Sequence, residues 1–130
     1  MDPRVLKVVD YIEANPHLNL QFDQLARSMN MSPSRLRHIF TAQVGVSPKQ
    51  YLRTIRLELA KHLVENTYLN VKEVMTKVGF SDESHFVRDF EKAFGLTPSR
   101  HRQRYRSTAS QASTLSSGPP SEHRGERLAT

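Results

Sequence analysis

The stretch LNLQFDQLARSMNMSPSRLRHIFTAQVGVSP is echoed later in the chain by LNVKEVMTKVGFSDESHFVRDFEKAFGLTP. Leu25 pairs with Val74 and Ser32 with Ser81, both 49 apart. Phe40 pairs with Phe90, Gly45 with Gly95 and Pro48 with Pro98, all 50 apart, so one extra residue sits near the start of the second copy's later helix. Each copy reads as a short helix, a tight turn and a longer helix closed by glycine. That is the outline of a helix-turn-helix unit. Two copies fall short of the three or so repeats that a helical solenoid needs.

Punctuation and periodicity make the whole ordered part helical. Asp2-Pro3 opens a first helix, with Asp as cap and Pro pre-set for the first position. Val5, Val8, Val9 and Ile12 recur at helical spacing, and Asn15-Pro16 ends the run. A short helix from about Phe22 to Met29 follows. Ser32-Pro33 opens a third, with Leu36, Ile39 and Phe40 on one face and Gly45 as its left-handed stop. Ser47-Pro48 opens a longer one to about Glu65, whose apolar positions are Leu52, Ile55, Leu59, Ala60 and Leu63. Asn70 and Glu73 spell a capping box for a fifth helix that stops at Gly79. Ser81 or Asp82 starts a sixth, with Phe86, Phe90 and Phe94 at four-residue steps before Gly95. Thr97-Pro98 starts a last basic stretch. The expected fold class is all-α: two helix-turn-helix subdomains joined by a long linker helix, about seven helices in all. The expected divisions are 1–47, the linker at 48–66, 67–106, and a disordered C-terminal tail at 107–130.

Charge points to the partner. The chain carries 19 Lys and Arg against 13 Asp and Glu, a formal charge of +6. Residues 1–106 hold 17 of the bases and 11 of the acids, so the helical part carries the whole excess. The tail, rich in Ser and Thr and broken by Gly-Pro-Pro, lacks the apolar surface to offset its ordering entropy. A basic all-α repeat suits nucleic acid. A helical protein-interaction module with incidental charge and only non-specific DNA affinity is the competing reading.

Other chemistries are poorly served. With no Cys there is no disulfide scaffold, thiol nucleophile or Cys-based zinc site. The six His, at 17, 38, 62, 85, 101 and 123, never recur at the i, i+4 spacing of a helical metal site, so no metal is expected. No phosphate loop, nucleophile elbow or carboxylate pair is present, so neither an enzyme nor a cofactor is expected. No apolar run approaches the ~20 residues that cross a bilayer. No membrane partner is expected, and the location is read as cytoplasmic, at the nucleoid when bound to DNA.

The residues then become specific enough for a family. The chain resembles the DNA-binding domain of AraC/XylS-type transcription regulators from about Leu6 to Arg106. The first half carries Leu25-Ala26, Met31-Ser32, Leu36, Phe40 and Gly45-Val46-Ser47-Pro48. Tyr51-Leu52, Arg56-Leu57, Ala60 and Leu63 fit the family's linker helix. The second half carries Gly79-Phe80-Ser81-Asp82, Ser84, Phe86, Arg88, Phe90, Gly95 and Thr97-Pro98. Two positions depart: Met75 stands where Ala is usual, and His101 where an aromatic precedes Arg102. The resemblance implies a regulator that touches RNA polymerase and a separate domain that senses a small molecule or dimerises. That effector-binding or dimerisation domain is missing from these residues. A stand-alone regulator and the DNA-binding piece of a longer chain both remain open.

A linker of 18 residues is roughly 27 Å long, a plausible spacer between major-groove faces about 34 Å apart. One chain would then read two adjacent grooves of an asymmetric site. With Leu36, Ile39 and Phe40 inward, Ser34, Arg37 and His38 project outward for base contact, and the resemblance places the family's reading positions there too. Arg37 leads, because a guanidinium pairs bidentately with guanine. The sixth helix is different, with four acids against two bases from Asp82 to Phe94. Its expected outward face is Glu83, Ser84, Val87 and Arg88, with Asp89 and Glu91 pairing with Arg88 or Lys92. Phosphate grip is expected from helix N-termini at Ser32, Ser47, Ser81 and Thr97, and from Arg35, Lys49, Arg53, Arg100 and Arg102. Such contacts supply affinity and salt dependence.

Overall fold

The computed structural model describes residues 1–115, with side chains to residue 109. Among them run seven helices and no strand: α1 Pro3–Ala14, α2 Phe22–Ser28, α3 Pro33–Val44, α4 Pro48–Asn66, α5 Val71–Val78, α6 Glu83–Phe94 and α7 Pro98–Leu115. The caps explain the boundaries. Asp2, Ser32 and Ser47 each accept a backbone N–H from the first turn that follows, and proline occupies the opening of α1, α3 and α4. Asn70 and Glu73 complete the expected capping box on α5. Gly45 and Gly95, at φ +96° and +88°, end α3 and α6 in the left-handed conformation that glycine adopts without a Cβ penalty.

The two short-helix turns are built alike. In the first, Asn30 N–H donates to the Arg27 carbonyl and Met31 N–H to the Ala26 carbonyl. In the second, Gly79 N–H donates to Thr76 and Phe80 N–H to Met75. Both turns are Schellman closures around a left-handed residue, Asn30 at φ +58° and Gly79 at φ +103°. The following cap stands two residues beyond Asn30 but three beyond Gly79, which locates the repeat's extra residue. The cap equivalent to Ser32 is therefore Asp82, not Ser81: its carboxylate accepts the His85 N–H at 3.0 Å.

Two apolar cores result. Val5, Val8, Ile12, Phe22, Ala26, Met31, Leu36, Phe40 and Leu52 form the first. Leu57, Ala60, Val64, Val74, Met75, Val78, Phe86 and Phe90 form the second. The linker helix α4 belongs to both, so it is packed against a core at each end. Its buried seam is Leu52, Leu57, Ala60 and Val64; Ile55, Leu59 and Leu63, expected inside, are only half-buried. Met75 is buried in the second core. His101 fills its aromatic role, edge-on to Phe90 at 5.6 Å, while its Nε2 lies 2.8 Å from a Glu65 carboxylate oxygen.

One expectation is corrected by α7. The tail is expected to be disordered from residue 107, but helix continues through Ser107 to Leu115. Once a helix is nucleated, each further residue costs little, and no Gly or Pro interrupts the sequence before Gly118. The rest of the expected disorder, 116–130, lies outside the described residues.

Candidate nucleic-acid interface

Helix α3 presents a polar strip because its apolar residues are spent on the core. Leu36 and Phe40 are fully buried, and Ser34, Arg35, Arg37, His38 and Thr41 are all exposed. The Arg37 guanidinium rests 5.1 Å above the Phe22 ring, an aromatic face that holds a cation without an anion. Among the described residues no carboxylate engages its fork, and the side chain is exposed.

On α6, Glu83, Ser84, His85 and Arg88 are exposed beside buried Phe86 and Phe90. Val87, expected to face outward with them, is half-buried and packs on the second core. Its place, fifty residues after Arg37, carries an aliphatic side chain that gains more from the core than from water. The expected local ion pairs are also replaced. Asp89 faces Arg53 of the linker helix at 3.9 Å, across the two elements. Asp82 caps α6, and the His85 N–H it accepts holds its carboxyl below the usual range, with His85 and Arg88 adding attraction. A carboxylate at this position satisfies the helix terminus from within. Ser81, expected to hold a phosphate at this terminus, is exposed, and the cap itself is Asp82.

The other phosphate-contact candidates divide. Ser32 is exposed, and Ser47 and Thr97 are half-buried; their hydroxyls accept the N–H groups of Arg35, Gln50 and Arg100. Arg35, Lys49, Arg53 and Arg100 are exposed cations. Arg102 is turned inward instead. Its Nε donates to the Val64 carbonyl at 3.0 Å, and one Nη is fully buried. Burial pushes its pKa down, with the neighbouring Arg106 charge adding to the effect. Arg106 donates to the Thr67 carbonyl at 2.7 Å and covers the Tyr68 ring. Both arginines satisfy carbonyls at the C-terminus of α4, where the helix dipole favours cations.

A cleft of about 470 Å³ joins the two units. Phe22 and Arg37 line it from the first, Lys49, Arg53 and Arg56 from the linker, and Phe80 from the second. Among the described residues no acid lines it, so its field favours a polyanion. Arg56 is the half-buried one of these cations, and the sequence offers it only as part of the linker-helix resemblance. The available signal was a lone arginine between Ile55 and Leu57 on a helix already assigned as spacer.

A helix-turn-helix domain model matches residues 25–104, more than half of the chain. The arabinose operon regulatory protein of Escherichia coli is 36% identical over 105 residues, which cover 78% of this chain and 35% of that protein. A probable AraC family transcriptional regulator from Rhodopseudomonas palustris superposes with a TM-score of 0.72 at 31% identity, covering 78% of this chain and 96% of that one. The DNA-binding domain of AdpA, a global transcriptional factor solved in complex with a target DNA, superposes with a TM-score of 0.76 at 27% identity. That match covers 83% of this chain and 97% of the AdpA domain. Paired units of this fold with an exposed polar helix each define a DNA-binding domain of the helix-turn-helix transcription regulators, not an enzyme. The chain belongs to their AraC/XylS family. It spans 35% of the arabinose regulator's length and 11% to 31% of two further curated relatives.

Proposed function

We propose that this chain reads a specific, asymmetric promoter site by placing α3 and α6 in adjacent major grooves of double-stranded DNA. The supporting observation is the polar strip Ser34, Arg37 and His38 on a helix whose other face is locked into the core by Leu36 and Phe40. From α6 the readers are Glu83, Ser84 and Arg88: Glu83 suits a cytosine amino group. Val87 contributes little, being largely spent on packing. Arg35, Lys49, Arg53 and Arg100 hold phosphates. Unequal faces on the two helices favour an asymmetric site over a palindrome. In this reading the regulator acts in the cytoplasm at the nucleoid and activates transcription through RNA polymerase. An effector-sensing or dimerising domain would be supplied by further sequence.

The test is selection from a random duplex pool, followed by fluorescence anisotropy of the selected and a random duplex at two salt concentrations. An asymmetric site with two blocks about 10 bp apart is the expected result. Equal, steeply salt-dependent binding of both duplexes would leave only phosphate grip. Absence of binding to either would favour the protein-interaction reading. Transcription in vitro with purified polymerase then tests activation.

A further inference from the structure

Arg56 lies on α4 between Leu52, which belongs to the first core, and Leu57, which belongs to the second. Its Nε donates to the Pro16 carbonyl at 2.6 Å and its Nη2 to the Leu18 carbonyl at 2.9 Å. Both carbonyls sit in the loop between α1 and α2, ahead of the first helix-turn-helix. The same guanidinium lies 6.0 Å from the centre of the Phe80 ring. A methyl group on Gly79 would come within 2.9 Å of its Cζ and Nε. Gly79 and Phe80 form the turn that delivers α6. One planar group therefore touches the first unit's loop and the second unit's turn at once.

The environment is an unusual one for a cation. Arg56 is half-buried, its hydrogen-bond acceptors are neutral carbonyls, and burial pushes its pKa down. Desolvating a guanidinium against uncharged partners is less favourable than leaving it in water. Bridging two elements is what this geometry does provide. A guanidinium suits the task because its donors are held in a rigid fork, whereas an ammonium is a single point.

We propose that Arg56 is the positioning residue that sets how the second helix-turn-helix stands relative to the first, and hence the half-site spacing the chain accepts. This inference rests on the two-groove reading above. One base pair inserted between half-sites displaces the second by about 3.4 Å and rotates it by roughly a tenth of a turn. A joint clamped by Arg56 resists that displacement. A joint without it follows the DNA.

The experiment uses the full chain and its selected site, with the spacer shortened by one base pair, native, or lengthened by one. Binding is measured by anisotropy for the wild type, Arg56→Met, Arg56→Lys and Phe80→Leu, and folding by thermal melting. The wild type is expected to lose about tenfold or more at either altered spacer, comparable to a mismatched base pair. Arg56→Met is expected to bind the native spacer more weakly and to differ among the three by roughly threefold or less, below the cost of a typical mismatch. Arg56→Lys keeps the charge and should follow Arg56→Met. Phe80→Leu should flatten the profile in the same direction, and with Arg56→Lys it carries the test if Arg56→Met does not fold. A uniform loss at all spacers, or an unchanged profile in the folded variants, overturns the assignment. A wild type that selects only one block overturns the two-groove reading itself, and this assignment with it.

Discussion

The Arg53 guanidinium faces the Asp89 carboxylate at 3.9 Å, joining the linker helix to α6. The pair sits where the proposed interface has its most direct conflict. A cation suited to phosphate is shared with an acid on the second recognition helix. Both side chains remain partly exposed, 46% and 32% of their surface, so their attraction is screened. Replacement of Asp89 by Asn frees Arg53 and removes one repulsion from α6. The expected result is tighter DNA binding with a steeper fall of log affinity against log salt, the increase being smaller than the slope of one whole phosphate contact because Arg53 is only partly held by Asp89. Stability should change by less than about 1 kcal/mol. Anisotropy across a salt series, alongside urea denaturation, checks both.

Arg37 and Arg53 carry the same charge and should fail differently. Arg37→Ala is expected to cost about 1–3 kcal/mol on the selected site and to relax preference at one base position. Arg53→Ala should weaken every sequence alike and lower the salt slope by about one. A panel of single-base variants of the selected site separates the two. Uniform loss for Arg37→Ala would reassign it to a phosphate.

Acid should release α1 at a defined point. The Asp2 carboxylate accepts from Arg4 through both its side chain and its backbone N–H, and these bonds lower its pKa from 3.8 to about 2. A carboxyl depressed in the folded state contributes stability above its unfolded value and loses it as pH falls through the folded one. The contribution is therefore complete well above pH 3.8 and fades between that value and about 2. Asp2→Asn keeps a cap but loses the ion pair. The difference in urea midpoint between wild type and Asp2→Asn should be constant near neutrality and shrink across that acid window. A difference that persists below it would place the effect elsewhere.

Most of this architecture is legible in local sequence because local rules made it. Ser32-Pro33, Ser47-Pro48, Asn70 with Glu73, and the glycines at 45, 79 and 95 act within a few residues of themselves. What escaped depends on distant chain. Arg56 answers to carbonyls some forty residues earlier, and nothing beside it announces Pro16 or Leu18. The α4 seam moved from Ile55, Leu59 and Leu63 to Leu57 and Val64 because a helix serving two cores does not keep one straight apolar stripe. Ser81 and Asp82 both offer a start for α6 in the sequence, and Asp82 takes it because the turn after Gly79 is one residue longer than the turn after Asn30. On the interface, the exposure of α3 followed from its apolar period. Val87 did not, since an aliphatic residue beside Phe86 satisfies either face.

Arg102 and Arg100 are neighbours on the basic helix α7, and the structure separates their tasks. Arg100 is exposed, while Arg102 donates to the Val64 carbonyl with one Nη enclosed. Removing Arg102 leaves a carbonyl at the end of α4 without that donor. Losing one partner of such a bond costs about 1–3 kcal/mol where the remaining group is buried. Arg102→Ala should therefore lower the urea midpoint and leave the salt slope of DNA binding unchanged in the folded protein. Arg100→Ala should do the reverse, lowering the slope by about one unit at unchanged stability. If Arg102→Ala flattens the salt dependence instead, its guanidinium leaves Val64 when DNA binds, and the C-terminus of α4 is rebuilt in the complex.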